Sequence, residues 1–246
     1  MLLSKEPIAM TVRQLLTWIR SQLTAQAAPA VRQSVQRFSR EPLNTYGVPT
    51  AAVRKIEQAA WREVKPWPPA HLTPLCEALW RSGKLEEAAV AIYLYRRFRK
   101  RCGEAEFDLF ERWLDRYVDN WGCCDGLASW LLAASIGNQP ELISRLEAWT
   151  RSANRWKRRA AIVALLQEAK QGRNTAAIFD IAGRLLEDSD DLVRKGVGWV
   201  LKETYPKKPR EALAFLEPRK ARAPRLVLRL AAEKMTARDR ARLLAR

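Results

Sequence analysis

The sequence is poor in the residues that bind metal ions and transfer protons. It has one histidine, His71, and its four cysteines, at positions 76, 102, 123 and 124, show none of the CxxC spacing of zinc sites. We therefore expect no metal site, and we interpret the cysteines as reduced thiols of a cytoplasmic protein. His71 stands at the start of a predicted helix, where we expect a capping or surface role rather than acid–base catalysis.

Long apolar runs and familiar catalytic motifs are also missing. No stretch approaches the roughly 20 apolar residues that a membrane-spanning helix needs, and residues 1–7 lack the apolar centre of a signal peptide. The sequence contains no glycine-rich phosphate loop, no GxSxG motif and no HExxH motif. We accordingly predict a protein without a membrane segment and without a bound cofactor.

Positive charge dominates what is present. The 246 residues include 44 Lys and Arg but 27 Asp and Glu, which gives a formal net charge of +17. Residues 151–246 carry most of this excess, with 24 basic and 11 acidic side chains. Such an excess favours a phosphate-rich partner or an anionic membrane over a neutral small molecule. A surface that is merely solubilising is the alternative, and at this net charge we rank the polyanion first.

The spacing of apolar residues predicts an all-α protein. They recur every three to four positions along almost the whole chain, and strand-like alternation is scarce. Short breaks containing Pro, Gly or Asp separate the helices, which is typical of stacked antiparallel helix pairs. The predicted helices span 11–25, 31–39, 50–63, 70–82, 84–101, 104–119, 124–136, 141–151, 155–170, 174–187, 191–204, 208–217, 222–233 and 236–245.

Three of these helices share a weak internal repeat. The segments that begin at Cys124, Arg158 and Arg194 align with offsets of 34 and 36 residues. A period in this range with two helices per unit is typical of HEAT-like repeats. We therefore predict a single HEAT-like α-solenoid domain over residues 1–246, with a concave basic face. Two apolar columns coincide in the alignment: Leu127 with Ala161 and Val197, and Leu131 with Leu165 and Leu201.

The repeat also predicts a row of polar side chains, in which Asp125, Arg159 and Lys195 lie on successive helices. Such a row could follow a nucleic-acid backbone. A carboxylate on such a face weakens polyanion binding, so Asp125 is a candidate for chemistry. Taken alone, Asp125 is better explained by a structural role, because the helix dipole favours an acidic residue in a first turn, where it can also cap free N–H groups. Basic residues near the row in sequence are Arg155, Lys157, Arg158, Arg194 and Lys202.

The ten tryptophans mostly fall within helical apolar patterns, where core packing is expected. We assign Trp156 to the core. Trp121, just before a predicted helix, and Trp199, beside the predicted row, stay open between core packing and ligand contact. Aromatic faces can also pack on sugars and stabilise a cation.

Four segments together resemble the AlkD-type DNA alkylation repair glycosylases, a family of HEAT-like helical solenoids. They are residues 47–50 (Gly-Val-Pro-Thr), 121–125, 154–161 and 195–203, and the resemblance extends over about residues 30–205. The sequence departs from the family pattern at two positions. Asn120 stands where a second aromatic residue is common, and Pro49 stands where a polar residue is usual.

The resemblance implies site residues and a reaction. Asp125 would be the catalytic aspartate, Trp121 and Trp199 would flank the lesion, and Arg159 would be the active-site arginine that holds phosphates. The implied partner is double-stranded DNA with a cationic N3- or N7-alkylated purine, which leaves without a general acid. Asp125 would then stabilise the positive charge that develops on the deoxyribose and position the attacking water. The resemblance also implies a monomer, which is typical of the fold, and a mechanism without a base-flipping pocket.

The sequence is also compatible with two other functions. One is a catalytically silent solenoid that binds branched or damaged DNA, although the presence of Asp125 argues against it. The other is a helical scaffold for RNA or for an acidic protein partner.

Overall fold

The computed structural model describes residues 10–67 and 69–245, and every regular element in these ranges is helical. The all-α prediction is confirmed. The chain divides between Phe98 and Arg99 into two compact units. The single-domain organisation over 1–246 stays a prediction. None of the helices in the described ranges is long and apolar enough to cross a membrane.

Within its described residues, the first unit contains five helices. Two buried glutamates at the start of the fifth helix hold the loop that precedes the third. The carboxylate of Glu86 accepts hydrogen bonds from the backbone N–H groups of Tyr46, Gly47 and Val48 at 2.8–3.0 Å. Glu87 accepts one from the Tyr46 hydroxyl at 2.6 Å. These contacts fix the 47–50 segment at the start of α3. The helices are α1 (Val12–Ala25), α2 (Pro29–Gln36), α3 (Thr50–Val64), α4 (Pro69–Trp80) and α5 (Leu85–Arg96).

The second unit is built from helices in two rows. Row A contains α6 (Glu104–Tyr117), α9 (Ile143–Trp149), α12 (Thr175–Leu185), α14 (Pro209–Leu216) and α16 (Ala237–Leu244). Row B contains α7 (Trp121–Gly126) with α8 (Ala133–Asn138), α10 (Arg155–Val163) with α11 (Leu166–Gln171), α13 (Asp191–Thr204) and α15 (Arg225–Ala231). Short turns return the chain from one row to the other, so successive helices form stacked pairs.

Row B is the repeat that the sequence indicates. All six residues of the two aligned apolar columns, from Leu127 to Leu201, are fully buried. The structure adds a fourth member that the sequence alignment missed. Residues 34 positions after Val197 and Leu201 are Ala231 and Met235, and both are buried as well.

Helix boundaries differ from the prediction in the part that matters for Asp125. The helix predicted over 124–136 begins three residues earlier, at Trp121, and continues to Asn138 with a π-helical stretch at Leu127–Leu132. The helix predicted over 155–170 is interrupted between Val163 and Leu166. His71 is exposed near the start of α4, in line with the predicted surface role.

Two glycines of α13 let the helices of row B approach closely. A Cβ on Gly196 would lie 3.3 Å from a methyl of Val163 on α10, and one on Gly198 would lie 2.7 Å from the Cβ of Leu230 on α15. The second distance is too short for two carbon atoms, so α13 and α15 pack at a separation that only glycine permits.

We therefore expect Gly198→Ala to lower the free energy of unfolding by about 1–3 kcal/mol, because α15 must shift to admit the methyl group. The matched control is Gly137→Ala, where a Cβ meets nothing within 4 Å. That change replaces a helical glycine by a better helix former and should add up to about 1 kcal/mol. Urea unfolding followed by circular dichroism measures both. A Gly198→Ala protein as stable as the parent would contradict the close approach.

Candidate functional site

The side chains of Asp125 and Arg159 form a nearly buried, bidentate ion pair. Nε and Nη2 of Arg159 each donate to one carboxylate oxygen of Asp125 at 2.7 Å. The two side chains are 14% and 7% exposed. The remaining terminal nitrogen of Arg159 donates to the backbone carbonyl of Leu192 on α13. One guanidinium group thus links α7, α10 and α13, and it fixes the orientation of the Asp125 carboxylate.

The local structure of α7 sets the position of Asp125. The side chain of Asn120 caps the helix by accepting a hydrogen bond from the N–H of Cys123 at 2.9 Å. Asp125 therefore lies one turn inside the helix. The first-turn interpretation of Asp125 is wrong, because the helix starts at Trp121 and its end is already capped by Asn120.

A π-helical stretch follows Asp125 directly. It covers Leu127–Leu132, and the hydroxyl of Ser129 donates to the backbone carbonyl of Asp125 at 2.7 Å. Single π-helical turns are rare in proteins, and those that occur are often found at functional sites. The stretch belongs to the segment that carries Asp125 and packs against α6 and α10.

Burial and the arginine act on the pKa of Asp125 in opposite directions. Burial has the larger effect and raises the pKa of this carboxyl above its ordinary value of 3.8, while the hydrogen bonds and charge of Arg159 lower it. Burial lowers the pKa of the Arg159 guanidinium, but its contact with Asp125 more than compensates, and its pKa rises. The arginine thus holds Asp125 closer to its ionised form than burial alone would.

The structure places the predicted tryptophans in different environments. Trp156 is buried, as predicted, and its ring lies under the guanidinium of Arg155 at 4.5 Å. Trp121 and Trp199 are both half-buried. Trp121 precedes Asp125 by one helical turn on α7, and Trp199 follows Leu192 by two turns on α13. The contact of Arg159 with Leu192 therefore joins the helix that carries Trp199 to the one that carries Trp121 and Asp125.

Most of the predicted basic residues are engaged in ion pairs. The exception within the described residues is Lys195, which is exposed and in no ion pair. A role in DNA binding stays a prediction for all of these residues, Lys195 included. The pairs are Arg155 with Asp190 at 3.5 Å, Lys157 with Glu111 at 2.8 Å and Asp115 at 2.9 Å, Arg158 with Asp188 at 2.7 Å, Lys202 with Glu233 at 2.8 Å, and Arg194 with Asp191.

Two features of the site are absent from the sequence prediction. The carbonyl of Leu192 holds Arg159, and no side-chain pattern signals a backbone acceptor. Asn120 caps α7 by accepting a hydrogen bond from the backbone N–H of Cys123, and an asparagine just before the first helical residue is a recognisable capping signal. All four cysteines are buried thiols that form no disulfide bond. Among the residues described, no cluster of three His, Cys, Asp or Glu side chains could hold a metal ion.

Comparison with known proteins gives a consistent family and fold. The sequence model of the DNA alkylation repair enzyme family matches residues 19–235. A predicted DNA alkylation repair enzyme from Enterococcus faecalis is 16% identical, with a TM-score of 0.76 over 86% of this chain and 98% of that one. AlkD2 from Streptococcus mutans is 18% identical, with a TM-score of 0.65 over 92% of this chain and 100% of that one. At such low identity, the structural likeness shows the fold alone. No curated protein matches the chain.

The opposing effects on Asp125 lead to a testable titration. Arg159→Gln removes the positive charge and leaves the burial, so we expect the pKa of Asp125 to rise further above 3.8. Carbon-13 NMR of the aspartate side-chain carboxyls, followed against pH, measures it. Arg194→Gln is the control, because it also removes one arginine charge, breaking the ion pair with Asp191 but leaving the contact between Asp125 and Arg159 intact. An unchanged or lower pKa in Arg159→Gln would show that the arginine does not hold the charge.

Proposed function

The chain belongs to the family of DNA alkylation repair enzymes, and on this premise we propose that it is a DNA glycosylase. Its proposed substrates are cationic N3- and N7-alkylated purines in double-stranded DNA, whose N-glycosidic bond it hydrolyses. The observation that carries the proposal is the Asp125 carboxylate, which Arg159 holds at 2.7 Å through both oxygens.

The chemistry needs a fixed negative charge more than it needs a proton donor. Alkylation at N3 or N7 makes the purine cationic and therefore a good leaving group. As the glycosidic bond breaks, positive charge grows on the deoxyribose. A carboxylate already oriented at that position stabilises the charge without reorganising, which is the most effective form of electrostatic catalysis. The reaction is therefore compatible with a chain that has one histidine, exposed on α4.

The remaining roles are assigned from burial and position. Trp121 and Trp199 are half-buried on the two helices that Arg159 joins, and they would pack against the sugar and backbone beside the lesion. Arg159 was expected to hold phosphates. Its side chain is only 7% exposed, and its guanidinium is bound to Asp125 and to the Leu192 carbonyl. We therefore assign Arg159 the role of positioning Asp125. Phosphate binding then falls to exposed basic residues such as Lys195.

Replacing Asp125 tests the proposal. Asp125→Asn keeps the size of the side chain and one acceptor oxygen for Arg159 but removes the charge. We expect release of 7-methylguanine from alkylated duplex DNA to slow on the order of 10²-fold or more, by analogy with the loss of one stabilising group in other active sites. DNA affinity, measured by fluorescence anisotropy, should change little.

The control is Asp180→Asn on α12, which makes the same charge change at an exposed carboxylate of row A and should leave base release unaltered. Unchanged release in Asp125→Asn would refute the catalytic assignment. If the parent protein bound alkylated DNA but released no base, it would be a silent binding module instead. A protein that neither bound nor cleaved DNA would point to the scaffold function.

A further inference from the structure

Two ion pairs join α13 to the 3-10 turn Ala232–Lys234, which directly follows α15. Nζ of Lys202 lies 2.8 Å from a carboxylate oxygen of Glu233, and Nζ of Lys234 lies 2.6 Å from one of Glu203. Further back along both helices, Gly198 meets Leu230. Contacts therefore advance along both helices together, so α13 and α15 run parallel.

Helix geometry then shows which side chains of α13 and α15 form a line along one face of each helix. Lys195, Trp199 and Lys202 are spaced by four and three residues, so they share one face of α13. Arg225 and Arg229 lie on α15, eight and four residues before Glu233, which belongs to the 3-10 turn Ala232–Lys234 that directly continues α15. Since Lys202 and Glu233 are in contact, Arg225 and Arg229 lie beside the line that contains Lys195 and Trp199.

The repeat spacing leads to the same position independently. From Asp125 to Arg159 is 34 residues, from Arg159 to Lys195 is 36, and another 34 leads to Arg229. The buried residues Ala231 and Met235 continue the two apolar columns of row B at this same offset. Arg229 is thus the fourth member of the row that begins with Asp125.

The charges on this side of the row are not neutralised. Lys195, Arg225 and Arg229 are exposed, and none of them is in an ion pair within the described residues. Arg225 donates only to the neutral backbone carbonyl of Leu244, at 3.1 Å. On α10, by contrast, Arg158 and Arg159 are bound to carboxylates at 2.7 Å. A basic side chain that is already paired with a carboxylate contributes less net positive charge to a phosphate contact.

We propose that Lys195, Arg225 and Arg229 form the phosphate-binding surface of this protein, on the α13–α15 side of Asp125. The partner is the backbone of duplex DNA, so this proposal rests on the proposed function. The charged residues of α10 have a different role, which is to hold the helices and Asp125 in place. In this proposal the phosphate contacts lie on one side of Asp125 only, on α13 and α15 at the C-terminal end of row B.

The salt dependence of binding tests this surface, because each phosphate contact to B-DNA contributes about 0.9 to the slope of log K against log salt concentration. We expect Arg229→Gln to reduce the slope by about 0.9, and the triple change of Lys195, Arg225 and Arg229 to glutamine to reduce it by about 2.7. Undamaged duplex DNA is the probe, so that base release plays no part, and thermal unfolding checks that each variant is folded.

Arg210→Gln is the matched control. Arg210 is an exposed arginine of α14 in row A and is in no ion pair within the described residues, so this change lowers the net charge equally but should leave the slope unaltered. Equal slopes for the parent, Arg229→Gln and the triple variant would overturn the surface and leave the glycosylase proposal standing. A reduction that Arg210→Gln shares would also overturn it, as an effect of net charge. Failure of the parent to bind duplex DNA at all would refute both proposals.

Discussion

The second unit depends on the ion pair between Asp125 and Arg159. Removing two charges from water is unfavourable, and a buried pair is tolerated only when both partners are well hydrogen-bonded. Here the carboxylate is held through both oxygens and the guanidinium also binds the Leu192 carbonyl. That last contact requires α13 to lie close to α10, which the missing side chain of Gly196 permits. The close packing of α10 and α13 and the geometry of the Asp125–Arg159 pair therefore depend on each other.

Much of this architecture was predictable from the sequence because the repeat is carried by buried apolar residues. Leu127, Ala161 and Val197 recur at nearly constant spacing, and burial at those positions is what makes the spacing visible. The same spacing correctly placed Asp125 next to Arg159. The start of α7 was missed because Gly122 resembles a break, whereas Asn120 caps the helix ahead of it. The π-helical stretch has no signal in local periodicity.

The pairing of the basic residues could not be predicted in the same way. Their partners lie 30 to 46 residues away in the sequence: Lys157 contacts Glu111, Arg158 contacts Asp188, and Lys202 contacts Glu233. A net charge of +17 gives the excess of basic over acidic residues. It does not show which basic side chains are already paired with a carboxylate. Only the contacts between neighbouring repeats separate residues that hold the fold from residues with charge available to a ligand.

This separation resolves the conflict that a carboxylate creates in a polyanion-binding protein. Paired with Arg159, Asp125 adds no net charge to the surface, so an approaching phosphate backbone meets a locally neutral site beside the unpaired charges of Lys195 and Arg229. In the proposed reaction, positive charge appears on the deoxyribose only as the glycosidic bond breaks. In that reaction the Asp125 carboxylate would interact more strongly with the transition state than with the ground state, which is the condition for catalysis. In the proposed mechanism, Arg159 would thus let the Asp125 carboxylate be tolerated during DNA binding and still act during cleavage of the glycosidic bond.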